Sequence, residues 1–347
     1  MYKVKFEHNQ MANSGSTNKH FKIATLNLLN YASPPFSYYQ LDENYSAIQW
    51  QNKNIWLTRL IANISPDIIA FQEVFSIDAL AKHIKPLGYD YLTTVDMPCI
   101  AKQSEFILMT PVVALASKYP IIQADALKPD KKLLKHLNLP ENFTFSRRPI
   151  KAEIQLPQLG IVRIYVLHLK SKRATKLNDF ANNTVPKNAA YNEKLTQTVG
   201  SFYSQELRCL EGMLIYHDAL FEQATNPQPS IILGDFNDDI HASALSLIFE
   251  NTLDSNEVNH LDFFDAFDIS NNNTNTKPPT LYYEGKGKVL DYILLSNEFN
   301  QNRENTKLTH LTYHTIDKHI LTQPDDKHKT NSDHACIYIQ FEVKAGS

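Results

Sequence analysis

Six short stretches of the 347-residue chain place polar side chains with chemical potential at, or just beyond, runs of apolar residues. Asn27 closes Thr25-Leu26-Asn27. An Asn there makes a local turn or offers a neutral oxygen to a metal or a phosphate. Glu73 follows the apolar run ending Phe71-Gln72. It fits the start of a helix, facing the macrodipole. It equally fits a hard oxygen ligand for Mg²⁺, which keeps several waters and needs only one or two carboxylates. His168 ends Val166-Leu167-His168, and Lys170, Lys172 and Arg173 follow. That is an exposed basic turn, or an imidazole donating to a phosphate oxygen while the cations attract the rest of a phosphate backbone. Gly234-Asp235-Phe236-Asn237 is a simple Asp/Asn turn, or a site in which Asp235 holds or deprotonates a water and Asn237 hydrogen-bonds developing charge. Two positions apart, the pair could share one side of a strand. Asp238 and Asp239 read as turn or loop-capping residues. Asp291 interrupts the apolar stretch Val289 to Leu294. A buried aspartate is costly unless paired, so it calls for a histidine or a metal. In Ser332-Asp333-His334 the adjacent acid and imidazole precede a terminal strand, where neighbours point opposite ways, so the two do different jobs.

Positioning these groups requires strands. Residues 21–27, 68–72, 111–116, 150–156, 161–167, 230–233, 290–295 and 335–341 are short, β-rich runs. Pro157-Gln158-Leu159-Gly160 between two of them signals a hairpin. Trp50 to Ile64 predicts a helix with Ile55, Leu60, Ile61 and Ile64 on one stripe, stopped by Ser65-Pro66. Leu207 to Phe221 predicts another, with Leu207, Leu210, Leu214 and Ile215 on one face. Residues 173–200 and 270–279 read as long polar loops, and residues 1–20 as a loose lead-in. Strands and helices interleave throughout, which predicts a mixed α/β fold.

Composition narrows the partners. Hydrophobic residues make up 43% and charged residues 20%, as in ordinary globular proteins, and no apolar run is long enough for a membrane helix. With 34 basic and 37 acidic residues the formal charge is −3, so a polyanionic substrate would have to be met by a local basic strip or a metal ion. Three cysteines, Cys99, Cys209 and Cys336, have neither disulfide nor CxxC spacing. The first twenty residues lack a long apolar segment and read as carrying no signal peptide, which fits a cytoplasmic protein or one secreted from a longer precursor.

Taken in order, Asn27, Gln72-Glu73, His168, Gly234-Asp235-Phe236-Asn237, Leu290-Asp291-Tyr292 and Ser332-Asp333-His334 resemble the motifs of the endonuclease/exonuclease/phosphatase superfamily. Its members include DNase I, abasic-site endonucleases, neutral sphingomyelinases and inositol-polyphosphate phosphatases. The resemblance runs from about Phe21 to Phe341. It is strongest to the DNase I-like bacterial nucleases. The stretches that carry it are His168 to Arg173, Arg147-Arg148-Pro149, Arg208 with Glu211, Leu281 to Gly287, and Pro111 to Ala116 followed by Ser117-Lys118-Tyr119-Pro120. The tryptophan- and cysteine-bearing signature of the inositol phosphatases is not found, and the polar segment after Arg173 departs from the shortest members.

The resemblance implies a four-layer α/β/β/α sandwich of two packed mixed β-sheets, DNase I-like, in one domain over residues 21–343, with loops at one edge forming the site. It implies Glu73 as principal metal ligand with Asn27 and Asp333 nearby. Asp235 and Asn237 would position water and phosphate, and His168 would bind phosphate. His334 would be a second catalytic histidine, oriented by Asp291. Substrate contacts would come from Arg148, Lys170, Lys172, Arg173 and Arg208. The expected reaction is hydrolysis of a phosphodiester by an in-line water with Mg²⁺ or Mn²⁺, the base being Asp235 or the Asp291–His334 pair. The expected substrate is a nucleic acid, DNA or RNA, and the expected state a monomer. The rivals are a phospholipid or sphingomyelin phosphodiesterase, a phosphomonoesterase and a non-catalytic binding module. The lipid enzyme needs a membrane-touching apolar loop; none is outstanding, and Phe36 and Tyr38-Tyr39 are only weak candidates. Against the binding module, all six places are chemically intact.

Overall fold

The structure is a computed structural model that describes residues 2–5, 18–176, 188–249, 261–270, 276–301, 306, 308–321 and 330–344. Its larger sheet has seven strands. From edge to edge they are β1 (Tyr2–Lys5), β5 (Tyr91–Thr94), β8 (Val112–Ser117), β4 (Ile68–Val74), β2 (Lys19–Tyr31), β18 (Cys336–Val343) and β17 (Leu308–Ile316). The second has six: β13 (Phe263–Asp265), β16 (Asp291–Ser296), β12 (Ser230–Asp235), β11 (Gly160–His168), β10 (Ile150–Leu156) and β9 (Ile121–Ala126). Both are mixed: β2 runs parallel to β4 and β11 parallel to β12, the other pairs antiparallel. A small sheet of β3 (Ser37–Tyr38), β7 (Ile107–Thr110) and β6 (Cys99–Ile100), and a hairpin of β14 (Leu281–Tyr283) and β15 (Lys286–Lys288), flank them.

Strand alternation builds the layers. Along β2, Phe21 and Ile23 point into the core between the sheets, while Ala24, Leu26 and Leu28 pack outward. Ile68, Leu115, Ile337 and Ile339 of the larger sheet meet Ile154, Ile164, Val166, Ile231, Leu233 and Ile293 of the smaller one. Each such side chain contributes about 1.5–3 kcal/mol on burial. The larger sheet's outer face takes α1 (Ala47–Ile64) and α2 (Ile77–Ile84), and the smaller sheet's takes α3 (Lys131–His136) and α4 (Ala189–Thr225). The result is the four-layer α/β/β/α sandwich. The three cysteines are free thiols. No helix among the described residues is long and apolar enough to cross a membrane.

Three local expectations need correction. Tyr2–Lys5, read as lead-in, pairs antiparallel with β5 at the sheet's edge. Ile55 faces solvent, because the buried stripe of α1 runs through Lys53, Leu57, Leu60, Ile61 and Ile64. The helix over Leu207 to Phe221 begins far earlier, at Ala189, inside the segment read as loop. Asn188 caps it, its side chain accepting the Tyr191 N–H at 3.0 Å. Its buried face is Ser204, Arg208, Glu211, Leu214 and Ile215, with Leu207 and Leu210 only half-buried. Residues 177–187 and 271–275 of the two polar stretches lie outside the described residues.

Candidate active site

The inward rows of the strands turn polar at one end of the inter-sheet core. Phe21 and Ile23 on β2 are followed by Thr25 and Asn27, and Ile68 and Ala70 on β4 by Gln72. On the other sheet Ile164 and Val166 lead to His168, Ile231 and Leu233 to Asp235, and Ile293 and Leu295 begin at Asp291. Register completes the grouping, for His168 lies beside Asp235 across β11–β12 and Asp235 beside Asp291 across β12–β16. Gly234 permits this approach, since a Cβ there would sit 2.0 Å from the Leu167 carbonyl oxygen.

Asp235 is the hub. Its Oδ2 accepts from the Asn27 amide at 3.0 Å and lies 3.4 Å from His168 Nε2 and 3.9 Å from His334 Nε2. Its Oδ1 accepts the Asn237 N–H at 2.7 Å. His334 Nδ1 and Asp291 Oδ2 are 2.8 Å apart, a buried pair. The Asp291 backbone is fixed by Thr280 Oγ1, which accepts its N–H at 3.1 Å. Ser332 holds the His334 segment in place: its hydroxyl donates to the Asn27 carbonyl at 2.6 Å and accepts the His334 N–H at 2.9 Å.

Charge follows from this packing. Burial pushes the Asp235 carboxyl up to about 7, against the pull of His334. Burial alone would lower His334, but Asp291 and then Asp235 outweigh it and hold the imidazole well above its usual range. Burial, with Arg147 and His334 adding to it, keeps His168 well below its own and therefore neutral.

Glu73 reaches the site by a backbone irregularity. Strict alternation would turn it outward, but it has φ +59°, and the β4–β8 register shifts there. Leu29 and Asn30 opposite it have φ +51° and +53°. Left-handed backbone at three non-glycine residues is costly and clusters at functional places. The Glu73 carboxylate accepts the Asn30 N–H at 2.8 Å and the Asn27 amide at 3.4 Å. Asn27 thus presents its nitrogen to Glu73 and Asp235, while its oxygen accepts the Leu29 N–H at 3.0 Å. It clamps the carboxylates instead of facing a metal with an oxygen. Asp333 is brought to the same end by its neighbour Ser332, whose hydroxyl donates to the carbonyl of Asn27, the residue whose amide reaches Glu73.

The basic residues divide. Arg147, not Arg148, turns toward the site: it donates to the Leu169 carbonyl at 2.9 Å and acts on His168 and Lys170. Arg148 points away and meets Asp96 at 3.5 Å. Arg208 is not available to substrate. It is buried and donates to Asp238 at 2.8 and 3.1 Å, to the Lys170 carbonyl at 3.0 Å, and to Gln205. Asp238, read as a turn residue, is therefore a buried partner of Arg208, and Lys172 Nζ lies 2.5 Å from its other oxygen. Glu211, one turn along α4, accepts N–H groups of Ser146 at 2.5 Å and Lys170 at 2.8 Å. The helix thus buttresses both loops. Lys170 Nζ caps the Arg173 carbonyl at 3.2 Å, and Lys172 and Arg173 are exposed at the rim. Asn237 does not follow Asp235 on one strand face, for its φ is +56° and its amide donates to the Leu169 carbonyl at 3.0 Å.

Two groups among the described residues bring three metal-capable side chains together: Asp235, Asp291 and His334, and separately His241, Asp265 and Asp268. In the second, Asp265 is already bonded to Lys277. Outside both groups, at the Glu73 end, Asp333 Oδ1 and Asn30 Oδ1 are buried without a partner and the Glu73 carboxylate accepts the Asn30 N–H, oxygens of the kind a hard divalent cation takes.

A model of the Endonuclease/Exonuclease/phosphatase family matches residues 24–306. Solved structures share the fold. The human Nocturnin catalytic domain with bound sulfate superposes with a TM-score of 0.56 at 15% identity, covering 94% of this chain and 97% of that one. TDP2 from C. elegans gives 0.54 at 14%, covering 93% and 75%. An endonuclease/exonuclease/phosphatase from Beutenbergia cavernae gives 0.54 at 13%, covering 94% and 72%. No curated protein matches the sequence.

Proposed function

The chain belongs to the endonuclease/exonuclease/phosphatase family, and from that membership we propose that it hydrolyses phosphodiester bonds of DNA or RNA with the help of Mg²⁺ or Mn²⁺. The observation that carries the reading is the buried Asp291–His334–Asp235 line, joined to Glu73 through the Asn27 amide. Glu73 and Asp333 would hold the cation, with Asn27 clamping the Glu73 carboxylate. When bound, the cation neutralises charge on the phosphoryl oxygens and assists the leaving oxygen. Asp235, held near neutrality by burial, takes the proton of the attacking water. His334, kept protonated by its two carboxylates, donates a charged hydrogen bond to a phosphate oxygen. Asp291 accepts the Nδ1–H at 2.8 Å and so orients the ring, leaving Nε2–H for the phosphate. His168, neutral, adds a second donor. The sulfate in the human Nocturnin structure is a tetrahedral oxyanion of the kind such a site would take.

The base assignment has a pH signature. Asp235 must be ionised to accept a proton, so the rate on a simple phosphodiester should rise as pH passes upward through about 7. It should decline only when His334 loses its proton at higher pH. A rate that stays level across the neutral range would remove Asp235 from the base role.

A second reading, a phospholipid or sphingomyelin phosphodiesterase, is favoured by one observation. The small sheet beside the Glu73 end, together with its flanking loops, exposes Leu41, Met97, Ile100, Phe106 and Met109. The readings separate in one panel: plasmid DNA, RNA, sphingomyelin vesicles and inositol phosphates, each with and without Mg²⁺. Cleavage of nucleic acid is expected. Affinity should fall as salt rises because phosphate counterions are released, and neutralising Lys172 and Arg173 should flatten that slope. Hydrolysis of sphingomyelin with nucleic acid left intact would overturn the first reading.

A further inference from the structure

Thr280 ties a small exposed hairpin to both halves of the Asp291–His334 pair. Its hydroxyl oxygen accepts the N–H groups of Leu290 at 2.9 Å and Asp291 at 3.1 Å. Its own N–H donates to the Lys288 carbonyl at 2.8 Å, and its carbonyl accepts the Ala335 N–H at 2.7 Å. The next residue, Leu281, pairs antiparallel with His334 in a single β-bridge. Beyond it, β14 and β15 pair Leu281 with Lys288 and Tyr283 with Lys286. The Glu284-Gly285 turn between them has φ values of +49° and +73°, which suit a tight hairpin. Residues directly opposite in an antiparallel pair share a face, as do residues two apart on one strand. Leu281, Tyr283, Lys286 and Lys288 therefore lie on the side to which the His334 side chain points. The opposite side is filled, for a Cβ at Gly287 would meet Pro279 and the Tyr282 ring. Tyr283 is 58% exposed, Lys286 and Lys288 beside it are exposed as well, and Lys288 Nζ stands 5.2 Å from the ring centre.

We propose that this hairpin face is a nucleobase platform: Tyr283 stacks an unpaired base of the substrate strand, and Lys286 and Lys288 take the phosphates beside it. The inference rests on the nucleic-acid reading above and deepens it by naming the state of the strand. Tyr283 stands two residues beyond the Leu281–His334 pairing, about 7 Å along the strand. That is about two base steps of a stacked nucleic acid. The whole chain carries a net charge of −3, yet the hairpin sets two ammonium groups against the single carboxylate of Glu284, a local charge opposite to a phosphate backbone. Lys288 over the ring holds it by a cation–π contact. Phosphate contacts alone do not tell single strands from double. An exposed ring does, because paired bases keep their faces inside the duplex stack, whereas an unpaired base of any kind offers one.

Fluorescence anisotropy in excess chelator tests this without turnover, because the platform needs no metal. The probes are labelled single-stranded DNA and RNA, the same DNA strand in a blunt duplex, and an abasic strand that keeps the phosphates and lacks the bases. The natural chain should bind both single strands more tightly than the duplex or the abasic strand. Tyr283→Leu should weaken the two single strands by about 5- to 150-fold, the range for one stacked base, and leave the duplex and the abasic strand unchanged. Tyr283→Phe keeps a ring face and should bind as the natural chain does. Lys286→Gln combined with Lys288→Gln should weaken every probe and reduce the salt dependence. Thermal melting confirms that each variant is folded. Equal binding of duplex and single strand by the natural chain would overturn the inference. So would a folded Tyr283→Leu protein that loses nothing, or loses as much on the abasic strand; cleavage of nucleic acid with Mg²⁺ would then leave the broader reading standing. No binding to any probe would also overturn the inference, and if Mg²⁺ brings no cleavage either, the nucleic-acid reading falls with it.

Discussion

Replacing His334 by Ala should lower turnover by about 10²–10³-fold, the usual range for removing one positioned donor to developing charge, with substrate affinity changed far less. The loss corresponds to about 3–4 kcal/mol of transition-state stabilisation. Asp291 touches no other described side chain as closely as His334 Nδ1, 2.8 Å away. Asp291→Asn should therefore act through the imidazole, by removing the charge of the carboxylate that orients the ring and is one of the two that keep it protonated. Groups that work as one unit are strongly non-additive, so the double variant should be little slower than His334→Ala alone. Thermal melts are needed alongside the rates, because His334→Ala leaves Asp291 buried at the core end of β16 with a lost partner. If the two losses multiply in folded protein, the residues act separately and the pairing is wrong.

How far the site could be read from sequence depended on how each side chain is aimed. Asp235, Asp291 and His168 were legible because each terminates an inward apolar row, and a polar residue there either has a partner or destabilises the fold. Glu73 was found as a chemical type, but its direction was not, since alternation turns it outward and a left-handed φ of +59° turns it back. Arg147 and Arg148 are neighbours of identical chemistry, and nothing local says that the first faces Leu169 and the second Asp96. Asp238 looked like loop punctuation because its partner, Arg208, is 30 residues away on a helix. The N-terminal half of α4 has no apolar stripe to announce it. It is held by polar contacts such as Ser204 with the Arg173 carbonyl, at 2.9 Å.

Metal dependence carries the largest expected effect. Glu73→Gln keeps the shape of the side chain and an oxygen for the Asn30 N–H, so its melting temperature should stay close to that of the natural chain, whereas Glu73→Ala also loses that contact. Either change removes a charged ligand from the proposed cation, whose contribution to such a reaction is several kcal/mol. A loss of about 10³-fold follows for about 4 kcal/mol. The remaining activity should need far more Mg²⁺ for saturation, since Asp333 would be left to hold the ion without a carboxylate partner.

The most direct test is single-turnover cleavage of duplex DNA and RNA by chelator-treated protein, before and after Mg²⁺ or Mn²⁺ is returned, for the natural chain and Glu73→Gln side by side. The account predicts no cleavage in excess chelator, full recovery of the natural chain on adding either ion, and a folded Glu73→Gln protein that recovers only about a thousandth of that rate. Undiminished cleavage in excess chelator, or a Glu73→Gln protein as fast as the natural chain at the same Mg²⁺ concentration, would contradict it.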